Sequence, residues 1–214
     1  MALPDAELER LTHAEYWNER YSRIDPGEQS HEWFRSFDDL LPFFEQNLFT
    51  KATSGTKILH LGSGDSTIPD HLAERGYNDQ LCLDFSPIVV ERMSKRHADL
   101  KGIEWRIVDI RHMDSVPSNS IDVAFDKATF DAMIHGSPWN PPDDVLENTS
   151  QYIQEVFRVL KPGGMFLYVT YRQFHFVKPL LDCKGTNWDI KLDVLGGSGS
   201  FGYHGFTLTK LKAT

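Results

Sequence analysis

The sequence is poor in cysteine and has no long apolar run. Only Cys82 and Cys183 occur among 214 residues, and Cys82 lies in an apolar pattern that is typical of a buried strand thiol. Because disulfides persist in oxidising compartments, this usage predicts a reducing compartment, the cytosol. No apolar run approaches the roughly 20 residues of a membrane span, and the first ten residues lack the apolar stretch of a signal peptide. These absences predict a cytoplasmic protein that does not enter a membrane.

Basic residues are fewer than acidic residues in this sequence. The chain has 22 Lys and Arg against 31 Asp and Glu, which gives a net charge of −9. Such a surface repels nucleic acid and favours a basic partner, although the charge can equally serve only to keep the protein in solution. The nine histidines do not cluster with carboxylates, so no metal site is predicted. No nucleophile and base pair is visible, and the catalytic residues stay unassigned.

A third glycine is missing from the one glycine motif that follows a predicted strand. Residues 57–61 form an apolar run, and Gly62 and Gly64 come directly after it. Both glycines let the backbone turn tightly with no Cβ to obstruct a ligand. Nicotinamide and flavin sites usually need G-x-G-x-x-G, and here Thr67 stands at the last position. The pattern therefore argues against NAD as the ligand.

An acidic residue does occur where a nucleotide site needs one. Asp84 follows the next strand-like run about twenty residues after the glycines, and its carboxylate could accept hydrogen bonds from ribose hydroxyls. Ser66 could cap the intervening helix and leave free N–H groups facing the ligand. The alternative is a strand, turn and helix that bind nothing, because a lone G-x-G is a weak signal.

Predicted strands alternate with predicted helices along one domain. This order predicts an α/β fold: a Rossmann-like, doubly wound, mostly parallel seven-stranded sheet with a C-terminal antiparallel hairpin that makes one edge strand antiparallel. We expect an N-terminal helical lid over 1–50 and the core over 55–214. The predicted strands are 57–61, 78–83, 103–108, 121–125, 165–171, 188–195 and 203–211. Helices are predicted from 13, over 36–48, from 66 to 75, from 86, and over 129–134, 143–160 and 172–181.

Five segments in this order resemble the successive motifs of class I S-adenosyl-L-methionine (SAM) methyltransferases. They are 58–66, 83–86, 108–110, the run Asp126-Lys-Ala-Thr-Phe-Asp131, and 158–164. Tyr16-Trp-x-x-Arg-Tyr21, Glu32-Trp-Phe34 and the loop Gly197-Ser-Gly-Ser-Phe narrow the resemblance to the elongation factor 1A lysine methyltransferase 4 group. Ser63 and Asp65 stand where that group usually has Cys and Asn, and Ala128 stands where it has Gly.

The resemblance implies a role for eleven residues in binding SAM and its product S-adenosyl-L-homocysteine. The cofactor would be flanked by the aromatic rings of Trp17, Tyr21 and Trp33, and its amino-acid end would lie against Gly62 and Gly64. Asp84 would hold the ribose diol, and the adenine would be contacted by Phe85, Asp109 and Ile110. The pocket where the methyl group leaves would be lined by Asp126 and Lys127.

Several of these residues also have a purely structural interpretation. The N-terminal aromatics could be ordinary core, since that is where most aromatic side chains lie. Asp109 could only cap a turn, and Asp126 could pair with Lys127 or Arg158. The resemblance implies methyl transfer to a lysine of a basic protein, with elongation factor 1A as the candidate substrate. The alternatives are a small-molecule methyltransferase and an inactive SAM-binding scaffold.

Overall fold

The computed structural model describes residues 5–24, 31–196 and 202–212. In these ranges the chain forms one seven-stranded sheet with the order β3-β2-β1-β4-β5-β7-β6. The strands are β1 (Ile58–Leu61), β2 (Gln80–Asp84), β3 (Ile103–Ile107), β4 (Ile121–Lys127), β5 (Leu160–Thr170), β6 (Trp188–Leu195) and β7 (Tyr203–Lys210). The helices are α1 (Asp5–Arg10), α2 (Ala14–Ser22), α3 (Phe37–Asn47), α4 (Ile68–Glu74), α5 (Pro87–Arg96), α6 (Thr129–Ala132), α7 (Asp143–Val159) and α8 (Phe174–Leu181).

The predicted fold class is confirmed, with one correction at the C-terminal hairpin. Strands β1 to β5 are parallel to one another, and β7 is antiparallel to both β5 and β6. The antiparallel strand therefore lies inside the sheet, and β6 forms the edge. The glycine-rich loop at 197–201 lies outside the described residues.

The starts of α2 and α4 lie close to the predicted positions. His13 occupies the N-cap of α2, and the hydroxyl of Thr12 donates to the carbonyl of Glu9. Thr67 is the N-cap residue of α4, while the hydroxyl of Ser66 accepts the backbone N–H of Ile68 at 3.2 Å. At α3, Ser36 forms a complete capping box with Asp39, which satisfies N–H groups that a helix start otherwise leaves unpaired.

Strand β5 begins five residues before its predicted start. Leu160 already pairs with Ile121, and the next paired residue, Met165, lies opposite Val123. The Lys161-Pro-Gly-Gly164 segment is thus absorbed into the strand as an irregularity in register, which glycine tolerates well. Helix α7 ends where the strand begins, with no loop between them.

Helices cover both faces of the sheet and bury its apolar side chains. On one face α6, α7 and α8 enclose a cluster that includes Phe130, Tyr152 and Phe166. On the other, α3 and α4 pack over β1, β4 and β5. A third cluster joins α2 and α5 to β2 and β3. Within the described residues no helix has both the length and the apolar character needed to cross a membrane.

Helix α3 approaches strand β7 very closely at Gly205. A Cβ added to Gly205 would lie 2.7 Å from the ring of Phe43, a distance that real Cβ atoms do not show. Phe43 itself is 2% exposed and belongs to the core of that face. The absence of a side chain on Gly205 therefore lets α3 seat on the sheet.

We expect Gly205→Ala to lower the free energy of unfolding by about 1–3 kcal/mol, the usual cost of overpacking a core. Gly202→Ala is the matched control, because a Cβ at Gly202 meets nothing within 4 Å. Urea denaturation of both variants measures the difference. Equal stabilities would show that Phe43 moves aside without cost.

Candidate functional site

A cavity opens at the carboxyl ends of β1, β2 and β4. Its lining includes ten of the eleven residues singled out in the sequence: Trp17, Tyr21, Trp33, Gly62, Gly64, Asp84, Phe85, Asp109, Ile110 and Lys127. They come from α2, from the segment before α3, and from the ends of β1 to β4. Residues that are far apart in sequence are thus brought to one crevice.

Asp84 ends β2 and is only 4% exposed. One carboxylate oxygen accepts the backbone N–H of Gly64 at 2.9 Å, and the other accepts that of Ser86 at 2.9 Å. Burial raises the pKa of Asp84 to about 6, although these two hydrogen bonds oppose the shift. Because an ionised carboxylate has about four lone-pair sites, Asp84 retains capacity to accept hydrogen bonds from a ligand.

The two glycines after β1 have positive φ angles, 60° at Gly62 and 55° at Gly64. A Cβ on Gly62 would lie 2.4 Å from the side chain of Thr129, and one on Gly64 would lie 2.7 Å from the hydroxyl oxygen of Tyr21. The space above each Cα is therefore filled by the protein itself. Glycine is required here by backbone conformation and by close packing, and not only by the room that a ligand needs.

Three aromatic side chains form one wall of the cavity. The ring of Trp17 lies 5.9 Å from that of Trp33 and 6.0 Å from that of Tyr21. The indole N–H of Trp17 donates to the carbonyl of Leu11 at 2.8 Å, which sets the orientation of the ring. Tyr21 is 5% exposed and also packs in the core. Burial, reinforced by Asp84 and Asp65, raises its pKa, so the phenol stays protonated.

An ion pair that the sequence did not reveal joins the N-terminal segment to β4. The carboxylate of Glu32 lies 2.7 Å from Nζ of Lys127, whose ammonium also donates to the carbonyl of Trp33 at 2.7 Å. Burial alone would raise the pKa of Glu32, but Lys127 and Thr67 hold it below its ordinary value. Lys127 therefore lines the cavity with its charge already paired.

The same carboxylate caps helix α4. Glu32 accepts the backbone N–H of Thr67 at 2.5 Å and its hydroxyl at 2.8 Å, and the hydroxyl of Ser66 at 3.0 Å. A negative charge at a helix N-terminus is favourable, because the free N–H groups there carry partial positive charge. Glu32, from another part of the chain, thus shares the capping of α4 with Ser66, whose hydroxyl accepts the N–H of Ile68.

Asp126 does not line the cavity, which corrects the expectation from the sequence. It is fully buried and accepts the backbone N–H groups of Thr129 and Phe130 and, at 2.6 Å, the hydroxyl of Tyr152. Burial raises the pKa of Asp126 to about 7. Its side chain organises the turn from β4 into α6, behind the cavity wall.

A second carboxylate, Asp131, lies in the same buried region. It accepts the hydroxyls of Tyr168 at 2.8 Å and Thr170 at 2.6 Å, and its Oδ1 lies 3.3 Å from Nε of Arg172. Burial raises the pKa of Asp131, and Arg172 opposes that shift. These contacts fasten α6 to the end of β5.

The end of β3 supplies a paired carboxylate. Asp109 accepts both the backbone N–H and the guanidinium of Arg111, with the closest contact at 2.6 Å. Arg111 in turn donates to Asn148 on α7. Despite burial, Arg111 holds the pKa of Asp109 below its usual range. Asp109 therefore both caps a turn, as the structural interpretation expected, and faces the cavity.

Ala128 lies between two cavity-lining residues and has a φ of 80°. This left-handed conformation costs an L-residue about 1–2 kcal/mol and is free for glycine. The positive φ explains why the group that this chain resembles usually has Gly at this position. In this chain Ala128 adopts the same conformation at the cost of some backbone strain. Within the described residues no group of three or more His, Cys, Asp or Glu side chains could hold a metal ion.

Comparison with known proteins agrees with this geometry. The family model of the methyltransferase domain matches residues 52–189. A mouse protein, EEF1A lysine methyltransferase 4, is 32% identical over 93% of this chain and 76% of its own length. The bovine protein of that name is 29% identical over 92% of the chain and 75% of its own length.

Solved structures share the fold at low sequence identity. A SAM-dependent methyltransferase from Leishmania major aligns over 92% of this chain and 85% of its own, with a TM-score of 0.64 and 13% identity. The N-methyltransferase NodS from Bradyrhizobium japonicum, in complex with S-adenosyl-L-homocysteine, aligns over 92% of this chain and 99% of its own, with a TM-score of 0.61 and 13% identity. From the family model and its relatives, the chain belongs to the methyltransferase-domain family.

Proposed function

We propose that this protein transfers a methyl group from SAM to a lysine side chain of elongation factor 1A. The observation that carries the proposal is the position of Asp84. Two backbone N–H groups hold its carboxylate at the crevice, and the carboxylate keeps further lone pairs that can accept hydrogen bonds from a ligand. The identity of the substrate is inferred from the similar proteins, two of which are named EEF1A lysine methyltransferase 4. The chain spans about three quarters of their length.

The cavity residues fit SAM by their chemistry. Asp84 offers carboxylate lone pairs to a ribose diol, as acidic strand ends do in doubly wound sheets. Trp17 and Trp33 present aromatic rings, whose faces attract a cation such as a sulfonium. Phe85 and Ile110 supply apolar surface suited to an adenine, next to Asp109. Gly62 and Gly64 would lie at the amino-acid end, and Lys127 near the departing methyl.

The electrophilic methyl of SAM supplies the chemistry, and the protein's task is placement. A direct displacement needs the acceptor nitrogen in line, at near-attack distance and shielded from water. The acceptor lysine must also lose a proton, because its free pKa is about 10.4. Burial in this cavity and a neighbouring positive charge would both lower that pKa. Glu32 neutralises Lys127, so the ammonium of Lys127 does not repel the incoming lysine.

The segment after β5 favours a protein acceptor over a small solute. Only α8 and a short connection lie between β5 and β6, and α8 packs its apolar side against the α7 face of the sheet. Within residues 171–187 the chain therefore adds no separate cover over the cavity. An open mouth suits a lysine that projects from a folded surface.

We further propose that the chain is one methyltransferase domain, with an N-terminal helical lid at 1–50 on the core at 55–214. Within the described part, Trp17 and Trp33 lie on the cavity, while Glu32 bonds to both α4 and β4. Glu32 is thus one of several attachments of this segment, and its loss would leave the buried ammonium of Lys127 without its counter-charge.

Asp84→Ala should lose most of its affinity for SAM and S-adenosyl-L-homocysteine. A hydrogen bond to a charged group contributes about 1.5–3 kcal/mol, so two of them amount to a loss of at least about a hundredfold. Asp79→Ala is the control, because Asp79 is exposed at the opposite end of the same strand. Calorimetric titration measures both, with NAD as a ligand that should not bind.

The same titrations at lower pH test the ionisation of Asp84. Its pKa is raised to about 6, so the wild type should lose affinity as the pH falls through that value and the carboxylate gains a proton. In Asp84→Ala this step should disappear. An unaltered dissociation constant in Asp84→Ala would show that the carboxylate does not contact the cofactor.

Glu32→Gln should loosen the lid. Amide hydrogen exchange of residues 12–24 and 31–36 should become faster, because Lys127 loses its counter-charge and α4 loses a charged cap. In the wild type, S-adenosyl-L-homocysteine should slow exchange in the same residues. Glu74→Gln, an exposed change on α4, is the control. If the amides of these residues exchange at equal rates in all three proteins, with and without S-adenosyl-L-homocysteine, then Trp17, Tyr21 and Trp33 belong to the permanent core and not to a lid.

Purified elongation factor 1A should accept methyl groups from labelled SAM on a lysine. Mass spectrometry of the digested product locates the modified side chain, and a whole-cell extract tests for other acceptors. Modification of arginine, of a carboxylate or of a metabolite would refute the lysine assignment. Label on a lysine of a different protein would refute only the named target, and SAM binding with no label anywhere would indicate a scaffold.

A further inference from the structure

The most exposed large apolar side chain among the described residues is Trp139, at 80%. It lies in the proline-rich segment Ser137-Pro-Trp-Asn-Pro-Pro142, between α6 and α7. The indole contacts the N-terminal turn of α8, with ring centroids 4.9 Å from Phe176 and 6.0 Å from His175. We call these three side chains the aromatic patch. Trp139 contributes little to the core, so its place on the surface needs another explanation.

The aromatic patch belongs to the connections that follow β4 and β5, and β4 ends at the cavity. Residues 137–142 follow α6, whose Ala132 lines the cavity together with Met133. Helix α8 follows the carboxyl end of β5, the neighbour of β4. Arg172, which precedes α8, ties that connection to α6 and the residues after it: its guanidinium donates to the carbonyls of Ile134 at 2.7 Å and Asp131 at 3.3 Å. The two connections that carry the aromatic patch therefore both leave the carboxyl end of the sheet, where the cavity opens.

Exposed carboxylates follow Trp139 in the chain. Asp143, Asp144 and Glu147 are all exposed on the first turns of α7, directly after the proline-rich segment. Asp144 bonds to His135 at 2.9 Å, which leaves the carboxylates in excess over cations on this turn. An indole close in the chain to negative charge suits a basic protein surface and opposes the phosphates of nucleic acid or of an anionic membrane.

We propose that the aromatic patch and the carboxylates of α7 dock a basic, folded protein substrate and so bring its lysine to the cavity. Aromatic anchors of this kind carry a large share of the binding energy at protein interfaces, because they bury much area with little loss of conformational freedom. This inference rests on the proposed function, since it names the surface through which that substrate is held.

The kinetic signature separates docking from chemistry. Trp139 does not line the cavity, so Trp139→Ala leaves the cofactor site unaltered. With elongation factor 1A as substrate, KM should rise at least about tenfold in Trp139→Ala, the loss expected for an interface anchor, while kcat and the dissociation constant of S-adenosyl-L-homocysteine stay as in the wild type. The double variant Asp143→Asn with Glu147→Gln should raise KM too and should flatten its dependence on salt.

Leu100→Ala is the matched control, because Leu100 is 43% exposed and lies just before β3, an edge strand separated from β4 and β5 by β2 and β1. It should leave KM unchanged. An unchanged KM in Trp139→Ala would overturn the docking surface, and so would a parallel loss of kcat and cofactor affinity, since that pattern marks a structural role. If the wild type itself transfers no methyl group to elongation factor 1A, the proposed function fails first, and the docking surface fails with it.

Discussion

The cavity exists because the chain changes its direction of winding at β1. It proceeds from β1 to β2 and β3 on one side and then returns to place β4 on the other. The helix after β1 packs on one face of the sheet and the helix after β4 on the opposite face. The two connections therefore diverge and leave a crevice, the usual ligand site of such sheets. Thr129 reaches back to Gly62 and closes the bottom of this crevice.

Each buried charge at the crevice is held by a specific partner. Asp84 relies on backbone N–H groups, and Glu32 satisfies both a helix start and an ammonium. A charge removed from water without such partners would cost several kcal/mol. Asp126 also has only neutral hydrogen-bond donors, and burial raises its pKa to about 7, although those hydrogen bonds oppose the shift. The electrostatics of the cavity are thus set mainly by Asp84, Asp109 and the Glu32–Lys127 pair.

Local pattern predicts those features that depend on neighbouring residues. Apolar runs locate the strands, and the end of a strand locates Asp84 and Asp109. The orientation of Asp126 depends on the length of β4, which runs two residues past its predicted end to Lys127. Because side chains alternate between the two faces of a strand, Asp126 points toward Tyr152 and Lys127 toward the cavity. The Glu32–Lys127 pair joins residues 95 positions apart. Nothing in the spacing of two single charges reveals such a contact, which only the assembled fold creates.

That separation has a consequence for the order in which the protein folds. Closing a chain loop costs more entropy as the loop lengthens, and contacts distant in sequence form slowly. Lys127 reaches its final place only once β4 has inserted beside β1, and Glu32 has no ammonium to meet before then. The N-terminal segment should therefore dock after the sheet has assembled. Until that moment the crevice is unfinished, so a ligand that binds only the completed crevice would draw late intermediates toward the native state.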